Sequence, residues 1–288
     1  MLRTCHALLA LVLLVGVTGL HAADKPPVIT GAGAHFSWVV FDELKPRLEK
    51  ATGREITLFG REAMLGAGCN AGIKSAMQHG NGMETFGFVC CPLTEQEIRK
   101  NKLQVFPLAL EPILILVNDD NPLNELSSDQ VRRIFRGEIS NWKSVGGKDE
   151  AIVVVNRLHC KKRPGHWKTI LRTPGEFTSQ RLNVQSAADM VTRLNDFKTA
   201  IGHTGAVWKF NDKDRVKALK IDGYAPSSEN LRTGRYPFYR VLSAVASDMA
   251  SDDVVKILTL TQQYLHEGDL ADRLSIVPTR ELPANQIP

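Results

Sequence analysis

The sequence predicts an α/β protein with largely parallel sheets. Three observations carry that expectation. Strand and helix signals alternate along the chain, with no internal repeat and no low-complexity segment. Residues 110–117 read LEPILILV, nearly continuous in apolar residues, as a centrally buried strand should be. Four strand signals run out into the turns GAGAHF, GAGCNAGIK, FVCCPLT and NRLHCKKRPGHW, where ligands of α/β sheets bind.

The elements follow in order. Residues 27–30 form a short apolar strand, closed by the turn Gly31-Ala32-Gly33-Ala34. Over 36–51, Phe36, Val39, Val40, Leu44 and Leu48 recur at spacings of three and four, which predicts an amphipathic helix. A second strand covers 55–59. The glycine-rich stretch 66–72 reads as a turn leading into a helix at 73–78. A third strand at 86–89 is followed by a short helix at 95–101. After the buried strand come a helix at 129–136, a strand at 152–156 and the start of a helix at 167–171. Helix starts at strand ends present unpaired N–H groups and a positive dipole end, a cradle for anions.

The first 23 residues read as a secretory signal peptide: Arg3 in a short basic start, an apolar run from Ala7 to about Val17, and small residues at the cleavage site near Ala22 and Ala23. That run is too short to span a bilayer. A periplasmic, monomeric chain is expected. Hydrophobic residues make up 43% and charged residues 23%, which places the chain among ordinary globular proteins. The formal charge of +5 drops to +4 without Arg3, too mild to argue for nucleic acid. Past the peptide, Cys69, Cys90, Cys91 and Cys160 remain. In an oxidising compartment all four are disulfide candidates, although adjacent Cys90 and Cys91 are poorly placed to bridge each other.

The motifs GAGAHFSW, GAGCNAGIK, FGFVCCPLT, PLALEPILILVN and LSSDQVRRIFRGEISNW, then IGHTGAVWKF and PSSENLRTGRYPFYR, stand in one order along the chain. In that order they resemble the landmarks of the periplasmic phosphate-binding proteins, the solute receptors of ABC phosphate uptake. The resemblance covers essentially all of the chain after the peptide. It implies a two-lobed clamshell, each lobe a mixed, mostly parallel sheet flanked by helices. Lobe 1 would comprise 24–109 plus 224–288 and lobe 2 residues 110–223, with crossings near 107–112 and 223–224.

The same resemblance implies a ligand site of His35, Phe36, Cys69, Asn70, Cys90, Arg157, Cys160, Gly165 and His166. Several of these depart from the family pattern. His35 stands at a ligand-facing threonine, Cys69 at a serine, and Cys90 at the aspartate that accepts a proton from hydrogen phosphate. Arg157 is retained. Gly165 and His166 align with a glycine and a threonine beyond a lengthened loop. Cys90 is expected to face the ligand and Cys91 to turn away, while His79, His203 and His266 have no partner motif and read as incidental.

Phosphate recognition needs many strong donors and an acceptor. Thiols are weak in both roles, so exchanging a hydroxyl and a carboxylate for sulfur should weaken phosphate binding, by roughly 1–3 kcal/mol per lost charged hydrogen bond. Sulfur and imidazole favour soft centres. The expected ligand is therefore a small oxyanion or thiophilic species, arsenite first, with Cys69, Cys90, Cys160 and His35 as the candidate donors. The alternatives are a phosphate- or arsenate-type receptor with structural disulfides, Cys69–Cys90 among them, and a copper or zinc binder. No CxxC, nucleophile elbow or acid–base pair points to an enzyme, and no cofactor is expected. The partner would be an ABC permease or a membrane sensor kinase.

Overall fold

The computed structural model describes residues 28–61, 68–80, 82–158 and 165–282. The leader at 1–23, Cys160 and the basic run 161–163 lie outside them. Strand β1 (Ile29–Gly33), helix α1 (His35–Thr52), strand β2 (Ile56–Phe59), helix α2 (Gly68–Met77) and strand β3 (Glu84–Val89) form two parallel crossovers, with β1 between β2 and β3. All three strands end at one edge, so α1, α2 and the segment after β3 start side by side there.

Helix α3 (Glu95–Asn101) is opened by a capping box between Thr94 and Glu97. It leads into β4 (Leu103–Asn118), which is twice as long as the expected strand. Then follow β5 (Glu125–Leu126), α4 (Ser128–Arg136), β6 (Val153–Asn156), β7 (Leu182–Asn183), α5 (Ala187–Asp196), β8 (Ala200–Gly205), β9 (Val216–Ala218), β10 (Lys220–Ile221) and α6 (Ser228–Arg232). The chain returns through β11 (Tyr239–Ser247) and closes with α7 (Asp252–Glu267), α8 (Leu270–Arg273) and β12 (Val277–Pro278).

The strand order is β2-β1-β3-β11-β4-β8-β6-β7. Parallel triplets at the two ends, β2-β1-β3 and β8-β6-β7, are joined by antiparallel β11 and β4. The protein is thus a two-lobed α/β fold with mixed sheets flanked by helices. Strand β4 serves both halves: its first residues pair with the end of β11, and Ile113–Val117 pair with β8. Its register against β11 slips between Leu242 and Ser243, opposite Pro107–Ala109, where a proline has no N–H to give the ladder.

Apolar side chains change cluster along the same two strands. Ala109 and Leu242 belong to a core built around Phe41, Phe86 and Phe88, whereas Leu110 and Val241 belong to one around Phe135, Trp142, Tyr236 and Phe238. Phe41 lies 5.1 and 5.0 Å from the other two rings of its core, the spacing of packed aromatic pairs.

Two expected elements differ. The stretch read as a glycine turn at 66–72 is helical from Gly68 onward. A Cβ on Gly87 would collide with the Gly72 carbonyl, and one on Gly72 would meet the Phe88 carbonyl oxygen. Glycine is there to let helix α2 lie against β3, and that packing outweighs its helix cost of about 1 kcal/mol. The helix expected at 167–171 is a single 3-10 turn, His166–Thr169. Beyond residue 171 the structure adds α5, β8, β11 and α7, for which no expectation was stated.

Candidate functional site

The ends of β1 and β3 are tied together by one backbone and one side-chain hydrogen bond. The Ala34 N–H donates to the Phe88 carbonyl at 3.1 Å, and the Ser37 hydroxyl donates to the Val89 carbonyl at 3.0 Å. This fixes the first turn of α1, with His35 and Phe36, beside Cys90 and Cys91. Cys69 enters from the first turn of α2. Its Sγ lies 3.6 Å from Cys90 Sγ and accepts the Cys90 N–H at 3.2 Å. A disulfide needs about 2.05 Å, so the Cys69–Cys90 bridge named among the alternatives is not formed. The expectation that Cys91 turns away is not met either: the Sγ atoms of Cys69, Cys90 and Cys91 all lie within 4.8 Å of one another. All three residues are at most 3% exposed. Cys160, expected in this cluster, is outside the described residues.

Next to the sulfurs is a buried ion pair. Glu111 and Arg240 face each other across β4 and β11, and Arg240 Nε donates to Glu111 Oε2 at 2.5 Å. Val207 N–H donates to the other carboxylate oxygen at 3.0 Å. Burial pushes the Glu111 carboxyl up, and the charge and hydrogen bond of Arg240 pull against that push. Burial also works against the Arg240 charge, but the attraction of Glu111 and the field of Cys90 and Cys91 outweigh it and hold the guanidinium above its usual range. The guanidinium lies 3.9 Å over the Phe36 ring.

A directed chain of hydrogen bonds runs on from this pair. Arginine can only donate, so Arg240 Nη1 donates to His166 Nδ1 at 3.2 Å. His166 Nε2–H then donates to His203 Nδ1 at 2.9 Å, and His203 Nε2–H to Asn156 Oδ1 at 2.7 Å. His203 is therefore not incidental, because it links β8 to β6 through the core. All four residues are at most 5% exposed.

The open part of the site is a cavity of about 550 Å³ lined by His35, Phe36, Arg61, Arg157, Ser186 and Trp208, among others. His35 stacks on Trp38, with ring planes 9° apart, and donates from Nδ1 to the Arg61 carbonyl at 2.6 Å. Burial lowers its pKa, the Arg61 carbonyl works the other way, and Arg157, Arg240 and Arg61 lower it further. The imidazole is thus neutral at pH 7, with Nε2 as an acceptor. Arg157 Nε donates to the Gln185 carbonyl at 2.9 Å. Phe36 touches both regions, lining the cavity while it carries Arg240 on its face.

Of the expected residues, then, His35, Phe36 and Arg157 meet in the cavity, and Cys69 and Cys90 meet in the sulfur cluster. His166 joins the hydrogen-bond chain with Gly165 just before it, and Asn70 is exposed on α2. Sequence reasoning missed Glu111, Arg240, His203 and Cys91 as parts of the site. One signal was available: a glutamate inside the apolar run PLALEPILILV must find a partner when buried.

A family model described as the PBP superfamily domain matches residues 74–264. The phosphate-binding protein PstS of Bacillus subtilis (strain 168) is 29% identical over 168 residues, 54% of this chain and 54% of that protein. The PstS of Borreliella burgdorferi is 23% identical over 172 residues, 57% of this chain and 61% of that protein. The chain thus spans little more than half the length of these curated relatives. Among solved structures, a substrate-binding protein with bound phosphate from Clostridium perfringens superposes with a TM-score of 0.73 at 21% identity, covering 87% of this chain and 99% of that one. An ABC-type phosphate transport receptor from Vibrio cholerae gives 0.66 at 24% identity, with 87% and 99% covered. At these identities the superpositions establish the fold.

Proposed function

Because this chain belongs to the periplasmic-binding-protein (PBP) superfamily, in its phosphate-binding-like branch, we propose that it is an extracytoplasmic receptor that closes its lobes on a small oxyanion or thiophilic species, arsenite first. The observation that carries this reading is the gathering of three sulfurs within 4.8 Å at the strand ends, where the family resemblance implies a serine hydroxyl and an aspartate. Sulfur donors select soft centres over phosphate. Arg61 and Arg157 in the cavity draw an anionic or hydroxylated species towards them. A second reading, a phosphate-type receptor, is favoured by the names of the relatives and by the same two arginines.

In this reading closure is a population shift driven by tighter ligand binding to the closed form. The closed protein then docks on an ABC permease or a membrane sensor kinase. A leader at 1–23 exports it, and no catalysis is required. Among the described residues no helix is long and apolar enough to cross a membrane. We place the outward crossing between lobes at Ala109–Leu110 and the return at Val241–Leu242, where the apolar cores change, with Val277 and Leu282 packing back on the second core. The test is titration calorimetry of the reduced protein with arsenite, arsenate, phosphate and zinc. Tight arsenite binding with no measurable phosphate binding supports the reading; phosphate binding that survives simultaneous replacement of Cys69 and Cys90 by Ser overturns it in favour of the second.

A further inference from the structure

We propose that the cavity bordered by helices α1 and α5 takes an organic oxyanion, a phosphonate or arsonate of the form R–PO3 or R–AsO3. Its charged head lies against Arg61 and Arg157, and its apolar group R lies against Phe36, Val207 and Trp208. This rests on the receptor reading above and extends it from bare oxyanions to their organic derivatives.

Size is the first support. Four oxygens, each given the ~30 Å³ of a water molecule, fill on the order of 120 Å³. The cavity holds about 550 Å³, within the roughly 300–1,000 Å³ of sites that enclose organic ligands. A bare oxyanion would leave most of it to water. The sulfurs do not take up the difference: Cys69, Cys90 and Cys91 are at most 3% exposed and are not among the described residues that line the cavity.

The lining is the second support, because it joins an apolar wall to a cationic one. Phe36 and Val207 are members of the first apolar core and Trp208 packs on it, so along this wall the cavity meets the core directly. Ala188, at the start of α5, continues the wall with a small side chain. The wall is anchored: Val207 N–H donates to Glu111, and Lys209 is paired with Glu43 of α1 at 3.0 Å. An alkyl or aryl group that displaces water from such a wall is favoured in proportion to the area it covers. The charged part of the lining is cationic, with Arg61 and Arg157 and, among the described residues, no acidic side chain. Guanidinium groups suit the oxygens of an anion. His35 adds an acceptor. Its Nδ1–H is bound to the Arg61 carbonyl at 2.6 Å, so Nε2 of the neutral ring accepts the remaining O–H of a singly protonated head. A head with three oxygens, one still protonated, uses both arginines and the imidazole. A carboxylate has two oxygens and at neutral pH no proton to give.

The experiment is titration calorimetry of the reduced protein with phenylphosphonate, methylphosphonate, phenylarsonate, benzoate, inorganic phosphate and arsenite. Phenylphosphonate is expected to bind about tenfold tighter than methylphosphonate or better, with phenylarsonate alike and benzoate weaker than either by a similar factor. Trp208→Ala removes part of the wall, and Ala188→Leu fills the space beside it. Each should bring the phenyl-to-methyl ratio close to one. Ala188 is exposed, so the Leu variant keeps the test intact if Trp208→Ala folds poorly. Equal affinity for the phenyl and methyl compounds overturns the apolar subsite, and so does a ratio that survives Ala188→Leu. Benzoate matching phenylphosphonate overturns the three-oxygen head. Binding of phosphate or arsenite without phenylphosphonate overturns the extension and leaves the receptor reading standing. No binding of any of the six overturns both.

Discussion

Glu111 and Arg240 are the two residues whose loss should be felt most strongly outside the sulfur cluster. Each is buried, and among the described residues each is the other's ion-pair partner. Removing one partner of such a pair costs about 3–5 kcal/mol, because the remaining charge is stranded. Glu111→Gln should therefore lower the urea midpoint sharply, whereas Glu111→Leu combined with Arg240→Met should lose far less. Equal losses would show that packing, not the stranded charge, sets the cost. His35 makes a different prediction. Unfolded, its imidazole titrates at its ordinary value of 6.5, and in the fold its pKa is lower. The resulting stability is present above pH 6.5 and is lost as the pH falls through that value towards the folded pKa. Between about pH 7.5 and 5.5 the protein should lose stability, and His35→Gln should flatten that slope. A parallel slope would place the loss elsewhere. At this scale the family resemblance implied His35, Phe36, Arg157, Cys69 and Cys90, of which the first three line one cavity and the last two share the sulfur cluster. It did not reveal Arg240 or His203, because their partners lie 129 and 37 residues away and no local pattern marks such pairs.

The contact of α2 on β3 sets the reach of Cys69. Gly87→Ala introduces a methyl where the Gly72 carbonyl oxygen already sits, so one backbone must move. Overpacking of this kind costs about 1–3 kcal/mol, and it should also weaken arsenite binding, since the displaced helix carries Cys69. Ser127→Ala serves as the contrast. It removes the capping box at the start of α4, should cost about 1 kcal/mol, and should leave arsenite binding unchanged. Guanidinium unfolding and calorimetry on the two variants measure both effects, and a loss of affinity in Ser127→Ala would detach affinity from the α2–β3 contact. Some elements were legible in the sequence: α1 from its apolar spacing, and α3 and α4 close to their observed bounds. Helix α2 was misread because its glycines mark close packing rather than a turn, and glycine alone does not say which.

Across the whole molecule, β4 and β11 contribute residues to both apolar cores, and in the proposed receptor they would carry the hinge. Closure around a ligand should compact the molecule. Small-angle scattering is expected to show a smaller radius of gyration on adding arsenite, and no change on adding it to protein in which Cys69 and Cys90 are both replaced by Ser. A ligand-bound form as open as the ligand-free one would refute closure as the signal read by a membrane partner. The hydrogen-bond chain from Arg240 through His166 and His203 to Asn156 ties the first core's edge to the second sheet.

By itself the sequence determined the alternation of strands and helices, the buried central strand, the two-lobed family pattern and the placing of sulfur at strand ends. These follow from side-chain periodicity and turn chemistry, which act between residues near in sequence. Only the tertiary structure decided which sulfurs meet. Cys90 and Cys91 project from consecutive residues, and whether the second joins the first depends on how the chain bends after β3 and how closely α2 lies on it. That contact is set by the backbones of Gly72 and Gly87, which meet only when α2 packs on β3.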